Sequence, residues 1–154
     1  MSVAGSNEKK FAKVLNDKIN AQLKGKLNFK SEDGGVSISV DNSLVSDEWI
    51  VMFEIDSANM AKLIAGQYTL LNILARDNEK TKGKKLLFVI VHYYKNYNSE
   101  RTSKNLSLIN SSYYNGSGIP FRAFSSREFY EYIDDCNTEK ELIEKLTKVQ
   151  QNDK

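Results

Sequence analysis

The chain has 154 residues, 40% of them apolar and 27% charged, with a formal net charge of +2. That length suits one domain spanning 1–154 with a core of its own, and the near-neutral balance lacks the strong basic excess typical of nucleic-acid binders, though a local patch can still supply such a field. Cys136 is the single cysteine, which excludes an internal disulfide and a zinc-type cysteine cluster. No apolar run nears the roughly 20 residues that cross a membrane, and the opening MSVAGSNEKKF has no signal-peptide core. A cytoplasmic protein is expected, with loose ends at Met1–Gly5 and Val149–Lys154.

Phe11, Val14, Leu15, Ile19 and Leu23 recur at spacings of three and four, which predicts an amphipathic helix from Ser6 to Lys24. Ser6 is its expected N-cap and Gly25 its stop. Lys26–Lys30 reads as a short strand, and Glu32-Asp33-Gly34-Gly35 as a turn. VSISV alternates as a half-buried strand does; SLV then leads into the polar Ser46-Asp47-Glu48. WIVMFEI is almost unbroken apolar sequence, the pattern of a central strand covered on both faces. Val36–Ile55 is therefore expected to fold as adjacent antiparallel strands.

A helix is expected over Ser57–Arg76, capped by Ser57, with Met60, Leu63, Ile64, Tyr68, Leu71 and Leu74 inward. KKLLFVIVHYY predicts a second central strand. Ser99–Tyr114 is ambiguous, with Leu106, Leu108 and Ile109 available to anchor a helix. IPFRAF reads as a strand, Ser125 with Glu128 as a capping box for a helix through Ile133, and Thr138 with Glu141 as a second box for a last helix burying Leu142, Ile143 and Leu146. The order implies an α/β domain with a mixed β-sheet flanked by helices.

The chemistry concentrates at the end of the first central strand. Asp41 stands thirteen residues before Glu54 with a polar turn between them near Asp47, so a hairpin there brings the two acids side by side on neighbouring strands. Asp56 leaves the same face as Glu54, because strand side chains alternate with period two. Carboxylates crowded at one strand end repel each other. Magnesium, which favours oxygen ligands, would relieve that repulsion and activate water beside a phosphate. The plainer reading, three acids facing solvent, stands beside it.

VDNSLVSDEWIVMFEID resembles the hairpin of the restriction-endonuclease-like nuclease superfamily, named for its PD-(D/E)xK pattern, with Val40-Asp41 in place of Pro-Asp and Glu54-Ile55-Asp56 in place of (D/E)xK. The resemblance covers the order of elements from about Ser6 to Ser125 and implies an αβββαβ core. It implies a Mg2+- or Mn2+-dependent DNA endonuclease, of restriction or defence type, with Asp41, Glu54, Asp56 and Glu8 as metal ligands. Gln67, in the Gly66-Gln67-Tyr68 stretch, would touch the scissile phosphate or position a catalytic group; it also reads as an exposed helix residue or as one that hydrogen-bonds a neighbouring loop. Cutting both strands of a duplex would call for a homodimer.

The motif's lysine is Asp56 here. An ionised aspartate only accepts hydrogen bonds and cannot stand in for a cation. Three accounts follow: Asp56 is a second metal ligand or a base; the lysine role has moved to Lys62; or the fold is kept without hydrolysis, as a module binding DNA or a protein partner, or as a subunit of a larger complex. Lys80, Lys82, Lys84 and Lys85 are expected to be solubilising, while Tyr93, Tyr94 and Tyr97, among Lys95, Arg101 and Lys104, suit either base stacking or packing on helices. His92, the one histidine, is expected to be structural, and Cys136, beside Asp134 and Asp135, to have a raised pKa.

Overall fold

The computed structural model describes residues 5–152, with side chains from 5 to 148. The elements are α1 (Ser6–Ile19), β1 (Leu27–Lys30), β2 (Ser37–Val40), β3 (Asn42–Val45), β4 (Trp49–Asp56), α2 (Ala61–Leu74), β5 (Lys85–His92), α3 (Ser99–Tyr114), β6 (Phe121–Ser125), α4 (Ser126–Tyr132) and α5 (Glu139–Asn152). Among the described residues, no helix is long and apolar enough to cross a membrane.

A four-stranded sheet runs in the order β3-β4-β5-β6. The β3–β4 pair is antiparallel, whereas β4–β5 and β5–β6 are parallel. The mixed character follows from the connections: a tight turn joins β3 to β4, while helical crossovers join the parallel strands. Since β4 and β5 are the inner strands, both their faces are covered, and that is why their sequences read as continuous apolar runs. Phe53 and Val89 point into a core closed by Phe11 and Leu15 of α1, Phe129 of α4 and Leu146 of α5. On the other face Met52, Phe88 and Ile90 meet Ile64, Tyr68 and Leu71 of α2 and Leu106 of α3.

The β1–β2 hairpin forms a separate two-stranded sheet on the α2 side. One residue, Asp41, separates β2 from β3. The chain thus pairs first with β1 and then, past Asp41, with β4.

Several boundaries differ from the sequence-based expectation. Helix α1 ends at Ile19 rather than Lys24, because Asn20 adopts a left-handed conformation (φ 50°), with its N–H donating to the Asn16 carbonyl and the Ala21 N–H to the Leu15 carbonyl. Its N-cap is Gly5, at φ 78°, not Ser6. Helix α2 begins at Ala61, and Met60 precedes it without a side-chain cap; Ser57 instead accepts a hydrogen bond from Asn7 Nδ2 at 2.9 Å. Ser99–Tyr114 resolves as one helix, yet Leu108 lies on its exposed side. The Ser125–Glu128 capping box forms with both bonds in place. Thr138 likewise accepts from the Glu141 N–H and bonds its carboxylate. Helix α5 continues to Asn152, so 149–152 is helical rather than a loose tail; the expectation for 1–4 and 153–154 falls outside the described residues.

The loop before β6 shows how tightly the α2–α3 side is fitted. Tyr68 Oη donates to the Ile119 carbonyl at 2.7 Å, and the Gly118 N–H donates to Asn110 Oδ1 at 2.7 Å. A Cβ on Gly118 would lie 2.6 Å from Asn110 Oδ1 and 2.8 Å from Tyr68 Oη, so this glycine is demanded by space. Gly118→Ala is expected to cost roughly 2 kcal/mol by prising these bonds apart. Urea denaturation would show it as a lowered midpoint; an unchanged midpoint would contradict the account.

Candidate functional site

Residue Asp41 sits where β2 gives way to β3, and it continues the ladder with a side chain. Its N–H donates to the Phe53 carbonyl at 2.9 Å, and its Oδ2 accepts the Ile55 N–H at 2.7 Å. A carboxylate thus takes a position that a backbone carbonyl would otherwise fill. The register Asn42↔Phe53, continued by one step, sets Asp41 opposite Glu54. The turn at Asp47 therefore brings the two acids together.

Glu54 shares the face of β4 that carries Ile50 and Met52, which is largely buried under α2 and the β1–β2 hairpin. Its Oε1 is buried and accepts no hydrogen bond. Burial, then the charge of Asp41, push the Glu54 pKa from 4.5 up to about 8; the Gln67 amide opposes this, while contact with Asp41 and the charge of Asp56 add to it. Glu8, from the first turn of α1, joins the same group. Burial raises its pKa, the Asp41 charge and side chain raise it further, and Lys26 partly offsets the rise.

Asp56 is held differently. Its Oδ2 lies 2.8 Å from His92 Nδ1, its cross-strand partner in the parallel β4–β5 register, and its Oδ1 accepts the Ala58 N–H at 3.3 Å. His92 is 0% exposed. Its Nε2 lies 2.8 Å from Thr102 Oγ1, which in turn lies 2.9 Å from Tyr97 Oη, and the imidazole stacks on the Tyr97 ring at 3.9 Å. Every group is satisfied when Tyr97 donates to Thr102, Thr102 donates to Nε2, and Nδ1–H donates to Asp56. The network fixes Asp56 from behind and leaves its carboxylate on the wall of a cleft.

That cleft, of about 340 Å³, is lined by Glu54 and Asp56, by Ser37 and Ser39 of the hairpin, and by Leu63 and Gln67 of α2. Gln67 is 9% exposed, and its Nε2 donates to the Ser39 carbonyl at 2.9 Å, tying α2 to the hairpin beside Glu54. Of its plain readings, the hydrogen bond to a neighbouring segment holds and the exposed position does not: Gln67 is a buried strut. Lys62 is exposed and does not line the cleft.

The structure thus brings Glu8, Asp41, Glu54 and Gln67 together, and places Asp56 on the same cleft but bound to His92. Among the described residues, no three His, Cys, Asp or Glu side chains are arranged to hold one metal ion. The four-carboxylate ligand set expected from sequence is not assembled. The pair Asp41 and Glu54 remains, with an orphaned carboxylate oxygen and mutual repulsion. Such a donor set fits magnesium, which binds through one or two carboxylates and keeps several waters.

Sequence reasoning missed two members. His92 was expected to be structural, with no link to Asp56; the signal was that both residues close eight-residue apolar strands joined by one crossover. Lys26 was passed over. Its charge acts on Glu8, opposing the rise that burial and Asp41 cause. Of the tyrosines, Tyr97 is buried and Tyr93 bonds Tyr130, whereas Tyr94 is exposed. Burial and the neighbouring Asp135 charge raise the Cys136 pKa, as expected.

Comparisons with protein-family models, curated proteins and solved structures gave no match.

The raised Glu54 pKa has a definite consequence for stability. A carboxyl that holds its proton more tightly when folded stabilises the fold fully below its unfolded pKa, and loses that contribution as pH rises through its folded value. Without metal, the protein is expected to lose stability between pH 4.5 and about 8, by an amount on the order of a few kcal/mol. Glu54→Gln, which cannot ionise, is expected to flatten this slope and to unfold at a higher temperature than wild type at pH 8. Parallel slopes for both proteins in chelator-treated buffer would contradict it.

Proposed function

We propose that this chain is a magnesium-dependent phosphodiesterase acting on DNA, with the restriction-endonuclease-like arrangement of elements. The observation that carries the reading is Glu54: a carboxyl largely buried at a strand end, facing Asp41, with a partnerless oxygen and a pKa near 8. A buried carboxylate pair without a compensating charge is costly, and a divalent cation is the simplest group that removes the cost.

Asp41 and Glu54 would hold the ion, with Glu8 close enough to feel the same field. Bound there, the ion would supply Lewis acidity and a water ionised near neutral pH. The protein's own groups then divide the remaining work. Asp41 stays in place because the Ile55 N–H grips one of its oxygens. Gln67 fixes the hairpin wall beside Glu54. Asp56, oriented by the His92 ring, presents a carboxylate to the cleft that orients an attacking water and accepts its proton. Lys26, whose charge reaches Glu8 at the edge of the acidic group, would provide the positive charge that the motif lysine would have given.

The absence of that lysine at Asp56 favours a second reading, the same fold retained to bind DNA or a protein partner without hydrolysis. Plasmid nicking separates the two. The wild-type chain is expected to nick supercoiled DNA with Mg2+ or Mn2+ and not with chelator. Glu54→Ala is expected to abolish nicking, and Asp56→Asn to slow it roughly 100-fold. DNA binding by the wild type without metal-dependent nicking would establish the second reading instead.

A further inference from the structure

An outer helix of a three-layer α/β fold normally carries charge on its solvent side. Helix α2 does not. From Leu63 to Ala75 there is no charged residue, although the helix packs only one side onto the sheet, through Ile64, Tyr68 and Leu71. Its opposite side exposes Leu63 (61%) and Ile73 (63%), with Leu70 partly exposed between them. Leu108 of α3, the helix packed beside α2, is exposed as well.

Gly66 is the second anomaly, at the middle of the same outer face. Glycine weakens a helix interior relative to alanine, and nothing inside the chain requires it here. Its φ is not positive, and a Cβ built on it meets no atom within 4 Å. The hollow it leaves opens to solvent.

We propose that the outer face of α2 is the interface with a second copy of this chain, in which the two α2 helices cross antiparallel about a two-fold axis near Thr69 and Leu70. The occupant follows from the self-complementarity of the sequence. With that axis, Ile73 of one copy lies over Gly66 of the other, twice by symmetry, so the exposed side chain fills the hollow left by the missing one. The same operation brings Lys62 of each copy toward Asp77 of the other, in the turn just past the end of α2, while Arg76 comes over the partner copy's Leu63, so the uncharged stripe ends in a charged rim on each side. Neither Lys62 nor Asp77 forms an ion pair within the chain among the described residues. An isologous interface must be complementary to itself, and an apolar centre with a charged rim is the common form of a stable homodimer. The proposal does not rest on the chemistry of the cleft, although Leu63 borders both the cleft and this face.

Sedimentation velocity over a dilution series tests it. The wild type is expected to sediment as a dimer at tens of micromolar and to dissociate on dilution. Gly66→Arg has room in the folded monomer, so it is expected to keep the fold by circular dichroism while weakening association roughly 100-fold or more. Gly66→Ala is expected to weaken association and yet raise the melting temperature of the dilute monomer, a combination that a purely structural glycine would not give. Lys62→Asp and Asp77→Lys are each expected to weaken the dimer, and the double variant to recover it. A wild type that stays monomeric at about 100 µM, whatever else then covers the face, overturns the proposal, as does a folded Gly66→Arg that associates as tightly as wild type.

Discussion

Two carboxyl groups that would repel each other in water are held side by side by a hydrogen-bonded ladder. Asp41 and Glu54 occupy opposing positions of one antiparallel pair, and the Ile55 N–H clamps Asp41 where it stands. Asp41 cannot turn away without giving up the Ile55 N–H, so the conflict is relieved on Glu54, which keeps its proton to about pH 8. The surrounding architecture serves this placement. Covered apolar strands fix β4 in the middle of the sheet, α1 brings Glu8 to one side, and α2 with the hairpin closes the other through the Gln67–Ser39 bond.

A second constraint acts one residue pair further along β4. Asp56, on the same face, could have joined the crowded pair. Instead its hydrogen bond from His92 commits it to a buried chain running through Thr102 to Tyr97. Two acids on one face of one strand thereby acquire different characters. Glu54 keeps one buried oxygen without a partner, and Asp56 is anchored through both its oxygens, to His92 and the Ala58 N–H, on the wall of the cleft. Environment rather than residue type divides the roles, which is how paired carboxyls in many active sites come to act as distinct groups.

The parts of this arrangement governed by short-range periodicity were legible in the sequence. Alternation in WIVMFEID placed Glu54 and Asp56 on one face, and the polar turn near Asp47 placed Asp41 across from Glu54. The capping boxes at Ser125 and Thr138 were equally readable, because each is a local exchange between a side chain and the first turn of a helix. Helix starts and stops set by backbone conformation were not. Asn20 ends α1 through a left-handed turn that no spacing rule required, and α2 begins without any side-chain cap. The Asp56–His92 pair and the reach of the Lys26 charge to Glu8 depend on the packing of elements far apart in the chain. Sequence pattern leaves these open until the sheet is assembled. In α2 the missing charge was visible in the sequence, but its meaning required knowing which side faces solvent.

The account stands or falls on whether the Asp41–Glu54 pair takes a divalent cation. The most direct measurement is calorimetric titration of Mn2+ into the metal-free protein near pH 7, repeated in buffers of different ionisation enthalpy to count protons. Glu54 holds its proton at that pH until the ion displaces it, so binding is expected with release of about one proton per ion, and Glu54→Gln is expected to lose both the binding and the release. No binding by the wild type at millimolar Mn2+, or equal binding by Glu54→Gln, would contradict it.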